Sequence, residues 1–338
     1  MEANRMKRFK TDFIEGTLSE LMDNIQPVLE EKYLSPVRTV NFFVGLVKEK
    51  KKISEVLRFL SETYPLEKFP HIKRIKSSKE SSSVHVLLCE TSVIDRAHLE
   101  ETLAPVSAHL GPVGALKVPV TAPLTRSQFQ DCVALWPVNF HENKLITKLL
   151  NGTFFTKSEL NTISNYMKEA IKMAKMAKIS NQLPVGALLV DPVRGHIVAQ
   201  AYDMRGCHPL QHCTMVAVDM VARSQGGGMW EYSHDSDFQW TQSDIRDNTS
   251  STDATDKTTG PYLCTGYHMY ITREPCVMCA MALVHSRVER VYYGSSDPEG
   301  GLGTRHKVHV QPGLNHHYSV FKGVLDAECD QLYEETGT

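Results

Sequence analysis

Two thiols three residues apart, Cys276 and Cys279 in Pro275-Cys276-Val277-Met278-Cys279, form the sharpest chemical signal in the chain. On the first turn of a helix such a pair points the same way. The positive end of the helix favours thiolates there. Thiolates suit Zn2+, which takes about four ligands in a tetrahedral array. Two buried structural cysteines would give the same spacing, but Pro275 and an upstream histidine favour the metal. That histidine is His212, on the helix that opens after His208-Pro209-Leu210-Gln211, one strand before the cysteine pair. His212, Cys276 and Cys279 are therefore the expected metal ligands. The fourth position is open to water, Cys213, Cys207 or a residue of the C-terminal segment. Cys213 follows His212 directly, so its side chain is expected to point elsewhere on the helix.

A second candidate site is electrostatic. Lys48, Lys50, Lys51 and Lys52 are followed by Lys73, Arg74, Lys76 and Lys79. Residues 46–79 hold ten basic and four acidic side chains. Such a cluster can contact phosphates and position RNA without reading its sequence. A solvated loop and strand edge would carry the same charge. Phe42, Phe43, Tyr64 and Phe69 nearby read as core.

These residues need elements to hold them. Thr156 and Glu159 form a capping box, followed on one helical face by Leu160, Ile163, Met167, Ala170, Ile171 and Ala174. Strands are expected at Leu183–Asp191 and His196–Asp203, with a turn at Pro192–Gly195. A helix over His212–Arg223, a strand over Tyr267–Arg273, a helix over Cys276–His285 and a strand over Val288–Gly294 follow. That order predicts a three-layer α/β/α domain with a mixed sheet over 158–338. Residues 224–260 interrupt it. Met229–Thr259 holds two basic and seven acidic residues and little apolar surface, so a flexible insertion is expected, with Trp230, Tyr232, Phe238 and Trp240 as its anchors.

Earlier in the chain, Thr17–Glu20 reads as another capping box opening a helix that Pro27 ends. Strands at Val37–Val47, His71–Lys76, Val84–Cys89 and Ala115–Val120 alternate with helices at Lys52–Tyr64 and Ser92–Leu110. The order β-α-β-β-α-β is ferredoxin-like, an α+β domain over 1–120. Residues 121–157, with Pro123, Trp136, Pro137 and Phe140, read as a linker packed onto one domain.

A chain of 338 residues suggests about two domains. With 41% apolar and 22% charged residues, it is neither disordered nor fibrous. Met1–Lys10 lacks the apolar region of a secretory signal, and no apolar stretch is long enough to span a bilayer. Eight cysteines are too sparse for a disulfide framework and point to a reducing compartment. The net charge of −2 conceals a basic first part and an acidic insertion.

The pattern His212…Pro275-Cys276-x-x-Cys279 resembles the zinc site of the cytidine/deoxycytidylate deaminase superfamily, whose signature is H-x-E…P-C-x-x-C. Leu183-Pro184-Val185-Gly186-Ala187 resembles that family's first strand. Pro261-Tyr262-Leu263-Cys264-Thr265-Gly266-Tyr267, Thr272-Arg273-Glu274-Pro275-Cys276 and Ala280-Met281-Ala282-Leu283-Val284-His285-Ser286-Arg287 narrow the resemblance. They are similar to the non-catalytic subunits of eukaryotic heterodimeric tRNA wobble adenosine deaminases. Pro70-His71-Ile72-Lys73-Arg74, Pro123-Leu124-Thr125-Arg126 and Trp136-Pro137 share that likeness. The resemblance implies Zn2+, a catalytic deaminase subunit as partner contacted around Cys276–His285, tRNA binding by the first domain, and a place in nucleus and cytoplasm. Thr214 stands where active deaminases carry the glutamate that moves protons between zinc-bound water and base. A threonine hydroxyl does not ionise near neutral pH, so the roughly 10²–10⁴-fold help of general acid–base catalysis is missing. No asparagine stands near Gln200–Asp203 to bind a target nucleoside. Hence the expectation is zinc kept for folding in an inactive chain. Two readings stay open: an independently active zinc deaminase using another base, and a zinc-stabilised RNA-binding protein without a deaminase partner.

Overall fold

A computed structural model describes residues 24–77, 83–232 and 263–334. The helix expected from Thr17–Glu20 lies outside these residues, as do Lys79, Phe238, Trp240 and most of the acidic insertion. The described residues form two compact units, one of Glu31–Lys148 and one combining the segment before Glu31 with that from Leu149 onward.

The segment before Glu31 contributes a two-residue strand, β1 (Gln26–Pro27), to the second unit, where Val28 is buried. The first unit opens with a single turn, α1 (Glu31–Leu34). It continues β2 (Thr39–Val47), α2 (Ile53–Thr63), β3 (Ile75–Ser77), β4 (Val84–Glu90), α3 (Arg96–Thr102) and β5 (Leu110–Pro119). The sheet order is β3-β4-β2-β5, antiparallel throughout. This is the expected ferredoxin-like arrangement. The helix expected over Ser92–Leu110 is shorter. Pro105 lacks an N–H, and the chain after α3 tightens into a 3-10 turn over Ala104–His109. Of the expected strand His71–Lys76, only Ile75 and Lys76 join the ladder; Ile72 pairs instead with Val138.

Both faces of this sheet are covered. Val56, Leu60, Leu99 and Leu103 pack with Val84, Val86 and Leu88 on one face. Phe42, Val44, Leu87 and Val118 pack on the other with Cys132, Trp136 and Val138. The stretch read as linker thus supplies half of a core. It carries α4 (Arg126–Leu135), capped by the Thr125 hydroxyl, and then α5 (Lys144–Leu150). Trp136 is fully buried, and its indole N–H donates to the Lys73 carbonyl at 2.6 Å.

In the second unit the Thr156/Glu159 capping box is formed in both directions. It opens α6 (Lys157–Ile179). Then come β6 (Gly186–Asp191), β7 (His196–Tyr202), α7 (Cys213–Ser224), β8 (His268–Arg273), α8 (Val277–His285), β9 (Arg290–Ser295), β10 (Ser319–Lys322) and α9 (Asp326–Glu334). The sheet order is β1-β10-β9-β8-β6-β7. β8, β9 and β10 run parallel and the remaining pairs antiparallel, so the sheet is mixed. Helices α6 and α9 touch each other, as do α7 and α8, giving the expected α/β/α layers. Gly186 permits the close packing of α6: a Cβ there would lie 2.1 Å from the Ala170 carbonyl oxygen. Tyr232 anchors the start of the insertion, its hydroxyl donating to Asp219 at 3.0 Å. Among the described residues, no helix is long and apolar enough to cross a membrane.

Candidate metal centre

Two helix starts converge on the second unit's sheet. His212 is the N-cap of α7, Cys276 the N-cap of α8, and Cys279 lies on the first turn of α8. Their ligand atoms all fall within 4.8 Å of one another, and Cys276 Sγ lies 3.6 Å from His212 Nδ1. Both helix N-termini present positive dipole ends to the two sulfurs.

The two thiols are shifted in opposite directions. The Cys279 thiol donates to Cys276, and the backbone N–H groups of Cys279 and Met278 add to it, so the Cys276 pKa falls to about 5 against the pull of burial. Cys279 goes the other way, held protonated by the neighbouring thiolate and by burial. Two cysteine sulfurs and one imidazole nitrogen within a coordination radius make a zinc donor set. Thr214 fits the same reading. Its hydroxyl is buried with no regular hydrogen bond and lies near enough to Cys279 to favour that thiolate.

Neither other cysteine joins the group. Cys213 turns its thiol to the Ala201 carbonyl at 3.4 Å, as its position after His212 predicts. Cys207 is exposed, beside the Gln182 amide. Among the described residues, His212, Cys276 and Cys279 are the one group of three or more His, Cys, Asp or Glu that could hold a metal.

The carboxylates lining the pocket are all engaged. Asp203 is 1% exposed and accepts from Arg205 Nε at 2.9 and 3.0 Å and from the backbone N–H groups of Arg205 and Cys213. Asp297 accepts from Arg273 Nε at 2.5 Å and from the Glu299 N–H. Glu274 is buried and accepts from the N–H groups of Asp297, Leu302 and Thr304 at 3.2, 3.0 and 3.0 Å, and from the Thr304 hydroxyl. The free space here is about 40 Å³, room for a few waters; small-molecule sites are usually several hundred Å³. Arg205 and Glu274 organise this pocket without matching any metal-ligand spacing. Only the position of Glu274 in the family-like run pointed to it.

The basic residues divide. Lys48, Lys50, Lys51 and Lys73 are exposed, and Lys52 pairs with Glu55 at 2.9 Å. Lys48 and the 3-10 turn Lys50–Lys52 follow β2 at the end of the sheet where β3 finishes, near Lys76. Arg74 is committed elsewhere: its guanidinium donates to the Leu60 and Tyr64 carbonyls at the C-terminal end of α2. Lys76 donates to the Leu135 carbonyl at 3.2 Å and stands 5.6 Å from the Trp136 ring centroid. Arg74→Ala should lower stability by about 2 kcal/mol, since hydrogen bonds from charged groups contribute roughly 1.5–3 kcal/mol. An unchanged urea midpoint would count against this role.

Residues 160–295 match the family model for the cytidine and deoxycytidylate deaminase zinc-binding region. Residues 40–136 match that of the tRNA-specific adenosine deaminase TAD3 N-terminal domain. A relative from Rattus norvegicus, named "Probable inactive tRNA-specific adenosine deaminase-like protein 3", is 39% identical over 316 residues, covering 90% of each chain. Its namesake from Homo sapiens is 38% identical over 322 residues, covering 92% of each. The "tRNA-specific adenosine deaminase subunit tad3" of Schizosaccharomyces pombe is 23% identical over 317 residues, covering 91% of this chain and 92% of the relative. By these motifs and matches, the chain belongs to the TAD3 family of tRNA-specific adenosine deaminase-like proteins.

Proposed function

We propose that this chain is the non-catalytic, zinc-stabilised subunit of a heterodimeric tRNA adenosine deaminase. It binds tRNA and completes a glutamate-bearing catalytic subunit that converts adenosine to inosine at the wobble position. The observation that carries the reading is a complete His/Cys/Cys donor set with Thr214 beside it and every nearby carboxylate already hydrogen-bonded. His212, Cys276 and Cys279 would hold the zinc, which in active deaminases activates a water. Here the chain's residues would bind the metal, and among the described residues Thr214 stands where active deaminases carry the proton-moving glutamate.

Co-expression with a catalytic subunit tests the reading. The pair should form inosine in tRNA, and the single chain none. Turnover by the single chain, lost on Cys276→Ala, would replace this reading with an independent deaminase. Full activity of the catalytic subunit without this chain would remove its role.

The exposed lysines supply the tRNA contact in this reading. Lys51→Glu with Lys73→Glu should weaken tRNA binding and flatten its dependence on salt, by about 0.7–0.9 in log–log slope for each phosphate no longer neutralised. An unchanged slope across a salt series would place the tRNA on another surface.

A further inference from the structure

Between α1 and the start of α4, the first unit holds a cavity of about 390 Å³, the size of a small-molecule site. One wall is α1 with the segment leading into β2, and the other is the segment 121–124 leading from β5 into α4. All of its lining residues belong to the unit Glu31–Lys148. The second wall overlaps Pro123-Leu124-Thr125-Arg126, a family-like run that neither the metal centre nor the lysine surface explains.

The cavity is held open by bonds that need no ligand. Gln128 commits its whole side-chain amide to the two walls. Its Oε1 accepts from the Leu124 N–H at 2.9 Å, and its Nε2 donates to the Lys32 and Ser35 carbonyls at 2.9 and 3.0 Å. The Val120 N–H donates to the Arg38 carbonyl at 2.9 Å, which pins the walls together at the end of the sheet. What the walls present is therefore fixed. Lys32 and Arg38 both line the cavity, and no aspartate or glutamate does. Arg38 is exposed and is tied to the ladder through its backbone. Pro36 and Ala122 are exposed and Val37 and Leu124 half-buried, so apolar surface is reachable on both walls. The occupant must carry negative charge for the two cations and a compact body for the apolar walls. An inorganic anion would leave those walls bare, and a neutral hydrophobe would desolvate two charges without pairing them. A guanidinium meets a phosphate bidentately and also lies flat on a nucleobase. A nucleotide carries both groups.

We propose that this cavity binds a single nucleotide, its phosphate on Arg38 and Lys32 and its base between the apolar walls. The nucleotide can be free or one unit of an RNA strand. The site does not rest on the tRNA reading above, since a free nucleotide would fill it equally.

The test uses the full zinc-loaded chain and N-methylanthraniloyl-AMP, whose emission rises on leaving water. Binding should be saturable and reversed by unlabelled AMP. Adenosine and inorganic phosphate should each compete at least about tenfold less well, since each lacks one half of what the cavity recognises. Arg38→Gln should weaken binding at least about tenfold, the loss expected of one hydrogen bond to a charged group; the bond to Val120 comes from the backbone and is kept. Ala122→Trp, at an exposed position of the wall, should abolish binding without changing zinc content or melting temperature. Displacement of the probe by AMP alone assigns a free nucleotide, and displacement by an unlabelled single-stranded RNA hexamer as well assigns RNA. No saturable binding, binding unchanged in either variant, or phosphate competing as well as AMP overturns the proposal. Displacement by a peptide ending in a free carboxylate but not by AMP overturns it equally and gives the cavity to a protein tail.

Discussion

Replacing Cys276 by serine should empty the metal centre, taking the chain from about one zinc per molecule to near none. His212 and Cys279 alone cannot complete a tetrahedral site that needs about four donors. The stability lost is what ligand binding adds to the folded state, about 4 kcal/mol where free zinc stands a thousandfold above its dissociation constant. For a unit of this size that is roughly 8–16 °C in melting temperature. Elemental analysis and thermal unfolding read both quantities. A chelator should produce the same fall in the unmodified chain and none in the variant. A chelated chain that melts where the loaded one does would remove zinc from the stability of this fold.

Acid should act through the same residues, because ligands must be deprotonated to bind metal. The Cys276 thiolate is favoured in the folded chain, its pKa lowered from 9.0 to about 5. A lowered folded-state value stabilises in full above the ordinary one and fades as pH falls to the lowered one. Zinc retention should therefore persist at pH 7 and fail as pH approaches 5. At neutral pH, loading should release about one proton per chain, the one Cys279 holds. Calorimetry in buffers of different ionisation enthalpy measures it, and zero release would mean that Cys279 is not held protonated before loading.

Glu274→Ala should be the most damaging single change outside the ligands. It removes the acceptor for three backbone N–H groups and the Thr304 hydroxyl. Leaving such donors unpaired in a buried site costs on the order of 3–5 kcal/mol after water enters and the loop relaxes. The effect should reach the metal. The loop that Glu274 gathers pairs Gly300 with Cys276, and the Gly301 N–H donates to the Pro275 carbonyl at 2.7 Å. Outer-shell losses of this kind typically weaken metal affinity about 10–100-fold. Gly300→Ala should reproduce the defect from the other side, since a Cβ there would lie 2.1 Å from the Glu274 carboxyl carbon. Zinc competition with a chromogenic chelator, alongside urea unfolding, separates the two effects. Normal zinc affinity in a destabilised Glu274→Ala chain would show that the loop supports the fold but not the ligands.

Much of the site is legible in the sequence because its signals are local. Cys276 and Cys279 are spaced by one helical turn, and Thr214 follows His212 by two residues, so identity and spacing alone expose both the ligands and the missing glutamate. The alternation of elements likewise reveals both architectures, since helix and strand periods are properties of short windows. Arg74 and Lys76 are not legible. Composition counts their charge but cannot tell a solvated cation from one bonded to the end of α2 or to the Leu135 carbonyl. Trp136 reads as linker because nothing in its neighbourhood has a period; it is core because the second face of a sheet formed by residues far away in the chain needs covering.

The chain's order of residues determined which atoms can bind a metal and which proton carrier is absent, for those are questions of side-chain type at short separation. The tertiary structure decided how the pocket's own carboxylates are held. Asp203 is engaged locally by Arg205 two residues on, but Glu274 and Asp297 are engaged only by folding, Asp297 by Arg273 and Glu274 by the 297–304 loop. For Glu274 and Asp297 the hydrogen bonds join residues brought together from afar, and no local pattern encodes them.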